Sequence, residues 1–266
     1  MPSTETPPLV VGVSLKMYFD HRRTLAWSEQ VAAIAGGHEA VTSGRVELVV
    51  LPSFPSIDAT VRAFAGTPVS VGAQDLFWAD SGAFTGEVSG VELEQLGCRY
   101  VEVGHAERRR LFGETDETVA DKVAAALRNS LAPFLCVGET ERMPAAQAAS
   151  ACIAQLQSAL SVAEEAGAID RIVVAYEPEW AIGAAEAASP EHIREVCELM
   201  RDWLAAHPLV ATSRVIYGGS AGPGLLGRLG ASVDGLFLGR FAHDPAALAL
   251  VLDEALLVPR PALVDE

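Results

Sequence analysis

Lysine is nearly missing from this chain: Lys16 and Lys122 are the only two among 266 residues. Basic residues of both kinds number 19 against 35 acidic ones, a formal charge of −16. A surface of that sign repels polyanions, which argues against nucleic acid and anionic membranes as partners. A small phosphorylated ligand stays compatible only if its site builds a local positive field. Cysteine is scarce as well. Cys98, Cys136, Cys152 and Cys197 form no CxxC pair and have no histidine spacing suited to zinc, so no metal site is expected. Their reading as reduced core thiols points to a reducing compartment and a cytoplasmic protein. No uninterrupted apolar run approaches the roughly 18 residues of a membrane span. The opening MPSTETPP lacks the charged-then-apolar pattern of a targeting signal and reads as a frayed tail.

Half of the residues are hydrophobic, enough for a large core. They are distributed in a repeating alternation. Short runs rich in Val, Ile and Leu read as buried parallel strands: Leu9–Ser14, Val46–Leu51, Val69–Gly72, Tyr100–Val103, Ala132–Val137, Arg171–Tyr176, Arg214–Tyr217 and Gly235–Leu238. Between them, helical spacing marks Thr24–Ala35, Ser56–Ala65, Val91–Leu96, Glu117–Asn129, Ala145–Ala166, Pro190–Ala206, Gly222–Leu229 and Pro245–Leu256. Ser189-Pro190 and Asp244-Pro245 are capping signals. Eight strand–helix units without extra strands give an α/β fold, a single (β/α)8 barrel over residues 9–258, with tails at 1–8 and 259–266. A doubly wound sheet is the alternative, but no GxGxxG follows the first strand.

Such a barrel carries its chemistry where the strands end. Lys16 follows the first strand, Gln74-Asp75 the third, and His105 and Glu107 the fourth. Glu177 ends the sixth, with Gly218-Gly219-Ser220 and Gly239-Arg240 after the last two. Glu177, if desolvated, is a candidate general base, although a glutamate before a proline is often only a surface residue. The small apolar tip that follows it, Ala181 to Ala185, suits a loop closing over a substrate. His105 at a helix start should stay neutral and donate a hydrogen bond. Arg108 and Arg109 read as structural ion-pair partners. Lys16 points to the barrel mouth, where it can hold an oxyanion or phosphate. The glycines after the seventh and eighth strands allow backbone N–H groups to converge on an anion.

Taken together, SLKM at Ser14–Met17, GAQD at Gly72–Asp75, GAFTGEVS at Gly82–Ser89, GHAERR at Gly104–Arg109, LCVGET at Leu135–Thr140, AYEPEWAIG at Ala175–Gly183, YGGS at Tyr217–Ser220 and VDGLFLG at Val233–Gly239 closely resemble the triosephosphate isomerase family, in order and over nearly the whole chain. The resemblance implies an isomerase working through an enediolate, without cofactor or metal. Glu177 would be the base, His105 a neutral electrophile, Lys16 the cation at the carbonyl oxygen and phosphate, and Glu107 a supporting acid. Gly183, Ser220, Gly239 and Arg240 would bind phosphate. Thr85 matches the loop tip that reaches a partner's site, so a homodimer is implied.

The sequence departs from the usual triose enzyme at Ser14 (in place of asparagine), Ala106 (serine), the tip Gly183-Ala184-Ala185-Glu186-Ala187 (Gly-Thr-Gly-Lys-Thr) and Arg240 (glycine). Asparagine to serine vacates a carbon and a nitrogen beside the reacting carbons, and a four-carbon substrate adds a hydroxymethyl there. In this the chain looks like the family branch of erythritol breakdown, which interconverts L-erythrulose 1-phosphate and D-erythrulose 4-phosphate. Plain triosephosphate isomerisation is the alternative. A barrel that binds sugar phosphates without turnover is another, and a Schiff-base aldolase lacks a lysine in a late strand.

Overall fold

Each apolar run is too short to span more than a barrel wall, and each is followed by a helix that returns the chain to the same edge, so the strands must run parallel. In the computed structural model, which describes residues 7–167, 169, 171–185, 187–210 and 212–259, they close on themselves. The ring is β1 (Leu9–Ser14), β2 (Val46–Leu51), β3 (Ser70–Ala73), β4 (Tyr100–Val103), β5 (Ala132–Val137), β6 (Val173–Tyr176), β7 (Arg214–Tyr217) and β8 (Gly235–Leu238), with β8 paired back to β1. The chain is a single (β/α)8 barrel.

Alternate residues along each strand face opposite ways. One set, including Val10, Val49, Tyr100, Phe134, Ile216 and Phe237, fills the barrel interior. The other set packs against the helices. The Phe134 ring meets Tyr100 and Phe237 at 5.3 Å each. Gly12 leaves it room, since a Cβ there would come within 2.6 Å of the Phe134 ring. The Tyr100 hydroxyl donates to Glu47, and Arg171 donates to that hydroxyl at 2.6 Å.

The helices form where capping and amphipathic spacing agree. Pro190–Ala206 begins with Ser189 Oγ accepting from His192 N, and buries Ile193, Val196, Cys197, Met200 and Leu204 at three- and four-residue intervals. Six strands have the expected bounds. β3 lies one residue later than expected, because Val69 N turns to Thr67 Oγ1 and the ladder begins at Ser70. β6 begins at Val173, because Ile172 N donates to Ser213 Oγ outside the ladder. The helix expected from Gly222 begins at Leu225, after Gly224 adopts φ 86°. Two helices were not marked by periodicity: Glu39–Thr42, and Ala106–Phe112, of which only the start at His105 was anticipated.

All four cysteines are buried and free, and burial pushes the Cys98 thiol up to about 12. Lys122, on helix Asp116–Arg128, is buried between Asp75 Oδ1 at 2.6 Å and Glu114 Oε1 at 2.5 Å. Arg108 pairs with the same two acids, and Arg109 pairs with Asp116. These are the structural ion pairs expected of the two arginines, and they tie the loops after β3 and β4 together. Among the described residues no helix is long and apolar enough to cross a membrane.

Candidate active site

A cavity of about 530 Å³ opens at the C-terminal ends of the strands and is lined by Ser14, Lys16, His105, Glu107, Glu177, Gly183, Ser220, Gly239 and Arg240, while Gln74, Asp75, Gly219 and Thr85 lie outside its lining. Lys16 and Arg240 are the cations among its lining residues, set against the acids Glu107 and Glu177, and they are the groups there that can attract a phosphate.

Lys16 sits at φ 47°, a strained backbone for a side chain of its size. Gln74 holds it there, with Nε2 donating to the carbonyl oxygens of Lys16 at 3.0 Å and Leu51 at 2.9 Å. The ammonium then reaches Glu107 Oε1 at 2.8 Å and lies 3.3 Å from His105 Nε2. Burial alone would lower the lysine's pKa. The bond to Glu107 and the charges of Glu177, Glu107 and Glu102 outweigh burial and raise it, so the amine stays charged. Glu107 is lowered despite its own burial, because Lys16 favours the carboxylate.

His105 caps the helix Ala106–Phe112, and its Nδ1 accepts from Glu107 N at 3.0 Å. An accepting Nδ1 carries no proton, so the neutral ring bears it on Nε2, which faces the cavity beside Glu177. Burial, with the Lys16 charge second, lowers the imidazole to about 4. A neutral hydrogen-bond donor is therefore built into the fold.

Glu177 is 6 % exposed. Its Oε2 lies 3.2 Å from His105 Nε2, outside hydrogen-bond geometry, and has no hydrogen-bond partner among the described residues. Burial pushes this carboxyl up to about 8, with Lys16 opposing and Glu102 and Glu107 reinforcing the rise. A carboxylate short of partners, poised near neutrality and aimed into a cavity, is a strong proton acceptor. Gly218 makes the arrangement sterically feasible, since any Cβ there would collide with the Glu177 carboxylate.

The segment after Glu177 is tied down at both ends. Glu139 Oε1 accepts from Trp180 Nε1 at 2.8 Å and from the Tyr176 hydroxyl at 3.1 Å. At the other end Tyr217 Oη accepts from Ala188 N at 3.1 Å. Between them Ser220 Oγ contacts the carbonyls of Ala181 at 2.8 Å and Ala184 at 3.0 Å, and Arg240 Nη2 donates to Gly183 O at 3.4 Å. Glu186, a departure at the tip, lies outside the described residues.

Two acids escaped the sequence reading. Glu139 sits inside the LCVGET motif without an assigned role. Glu102 stands on β4 among apolar neighbours, pointing into the barrel, where Ser14 Oγ donates to its Oε2 at 2.9 Å. The signal was there: a charge at an inward position of a fully buried strand breaks the apolar pattern. No group of side chains suited to a metal ion occurs among the described residues.

A family profile for triosephosphate isomerase matches residues 9–255. An L-erythrulose-1-phosphate isomerase of Pectobacterium atrosepticum is 55 % identical over 93 % of this chain and 95 % of its own. A second enzyme of that name, from Mesorhizobium japonicum, is 37 % identical over 92 % and 96 %. A triosephosphate isomerase of Moorella thermoacetica is 44 % identical over 80 % and 87 %. The barrel, the cavity at its mouth and these likenesses converge: the chain belongs to the triosephosphate isomerase family and is a sugar-phosphate isomerase.

Proposed function

We propose that the enzyme interconverts L-erythrulose 1-phosphate and D-erythrulose 4-phosphate. The observation that carries this reading is Ser14, a short side chain on the cavity floor beside Lys16, His105 and Glu177. A substrate one hydroxymethyl longer than a triose phosphate needs such a vacancy at its end away from the phosphate. The two erythrulose-phosphate relatives support it.

Glu177 takes the proton from the carbon that bears the terminal hydroxymethyl. The electron pair moves into a carbon–carbon double bond and onto the neighbouring carbonyl oxygen, giving an enediolate. His105 donates from Nε2 to that oxygen, and the Lys16 ammonium stabilises the developing charge. His105 passes its Nε2 proton to that oxygen and recovers one from the neighbouring hydroxyl, while Glu177 returns its proton to the adjacent carbon, so the carbonyl has moved one position and no external acid, base or oxidant is consumed. Gly183, Ser220, Gly239 and Arg240 hold the phosphate. The Ala181–Ala185 segment keeps water from the enediolate, which would otherwise lose phosphate.

The protein acts as a homodimer in the cytoplasm, by this reading. Met17, 93 % exposed immediately after the functional lysine, needs a cover, and Tyr18, Phe84 and Trp78 are exposed apolar surface that a second copy would bury. Thr85 at the exposed loop tip would then reach the partner's site. Size-exclusion chromatography with light scattering should give twice the chain mass.

The deciding experiment compares kcat/KM for L-erythrulose 1-phosphate, dihydroxyacetone phosphate and glyceraldehyde 3-phosphate. A preference for the four-carbon ketose of at least tenfold is expected. Ordinary enzyme rates on the trioses with none on erythrulose phosphate would refute it, and favour the second reading that the Moorella thermoacetica likeness supports.

A further inference from the structure

A buried carboxylate inside a barrel is costly unless it is well paired, and Glu102 is 4 % exposed with one hydrogen bond among the described residues, from a neutral hydroxyl. Its other oxygen lies 4.0 Å from His105 Nε2. Nothing in the proton transfer derived above uses it, and an apolar side chain would fill the same inward position on β4 more cheaply. What Glu102 does hold is Ser14. The single hydroxyl proton of Ser14 is turned down toward the carboxylate across the barrel. The oxygen's remaining lone pairs are then directed at the cavity floor, which Ser14 lines and Glu102 does not. Left alone, a serine hydroxyl rotates freely and presents donor or acceptor indifferently.

We propose that Glu102 is a specificity-determining positioning residue: by holding the Ser14 proton, it fixes the Ser14 oxygen as the acceptor for the terminal hydroxyl of a four-carbon ketose phosphate. The inference rests on the four-carbon reading above. Triose phosphates end one carbon short and gain nothing from the pair, so Ser14 and Glu102 act on discrimination between substrates while the Lys16, His105 and Glu177 set acts on both. A hydroxyl-accepting group of this kind selects far better than added room alone, because its loss leaves a buried polar group unpaired.

The test is the ratio of kcat/KM for L-erythrulose 1-phosphate to that for dihydroxyacetone phosphate, in wild type, Glu102→Leu, Glu102→Gln, Ser14→Ala and the Ser14→Ala/Glu102→Leu double variant. Glu102→Leu should lower the ratio roughly 10- to 100-fold, mostly through KM of the four-carbon substrate. Glu102→Gln keeps an acceptor for Ser14 and should restore the ratio to within about threefold of wild type. In the Ser14→Ala background, Glu102→Leu should change the ratio no further, since the two act as one unit. Equal losses on both substrates would make Glu102 structural or electrostatic and overturn the proposal. So would an unchanged ratio in Glu102→Leu, or additive losses in the double variant. The four-carbon reading fails separately, if wild type itself shows no preference for the longer substrate.

Discussion

Glu177 is stable in the fold chiefly as a neutral acid. Burial holds its proton up to about 8, whereas an unfolded chain releases it near 4.5. Between those values the folded protein binds more protons than the unfolded one, so this residue's contribution to stability falls as pH rises and levels off above 8. Glu177→Gln removes that dependence. Its Tm should match wild type below about pH 4.5 and exceed it at pH 8 by roughly 2–8 °C, read by calorimetry at both pH values. A variant no more stable at pH 8 would show that the carboxylate is not strained by its burial. The same substitution should lower kcat by about 10²- to 10⁴-fold, and a rate within a factor of three of wild type would remove Glu177 from its role as base. Stability and activity thus move in opposite directions at one residue.

At the scale of elements, the segment after β6 is held by few bonds, and the Ser220 hydroxyl shares its one proton between two of its carbonyls, Ala181 and Ala184. Ser220→Ala should loosen residues 181–185, with faster amide exchange there and a KM for sugar phosphate higher by roughly tenfold, while exchange in β1 and β2 stays unchanged. Unchanged exchange in that segment would mean that the Glu139–Trp180 and Tyr217–Ala188 anchors suffice. The strands of this barrel were legible because each is a short apolar run, most with a reactive or small residue at or just past the end, and six have the bounds read from the pattern. Helix starts at Ser189 and Asp244 were legible for the chemistry of their caps. The helix Glu39–Thr42 was not, being a single turn started by His38 and carried by its contacts. In the site, position put Lys16, His105 and Glu177 at strand ends, and the family motifs around them supplied the expected roles. The pairing of Ser14 with Glu102 was not, because it joins residues 88 positions apart across the barrel and only closure of the sheet creates it.

The whole molecule carries −16 and must admit a phosphate dianion. Long-range repulsion slows encounter, and the cations Lys16 and Arg240 act only near the mouth. We expect kcat/KM to rise as ionic strength goes from about 10 mM to about 150 mM, opposite to an enzyme with an electropositive surface. A steady fall over that range would indicate that the local field of the mouth dominates the encounter.

The two lysines have one more consequence. Lys122 is 5 % exposed and clamped between two acids, whereas the Lys16 side chain is 21 % exposed at the mouth of the cavity. Apart from the chain's α-amine, the protein therefore offers an acylating or reductively alkylating reagent one reachable amine, and it lies in the active site. At a pH high enough to release the Lys16 proton, amine chemistry that would randomly decorate most proteins should here count active sites, with a bound sugar phosphate shielding them.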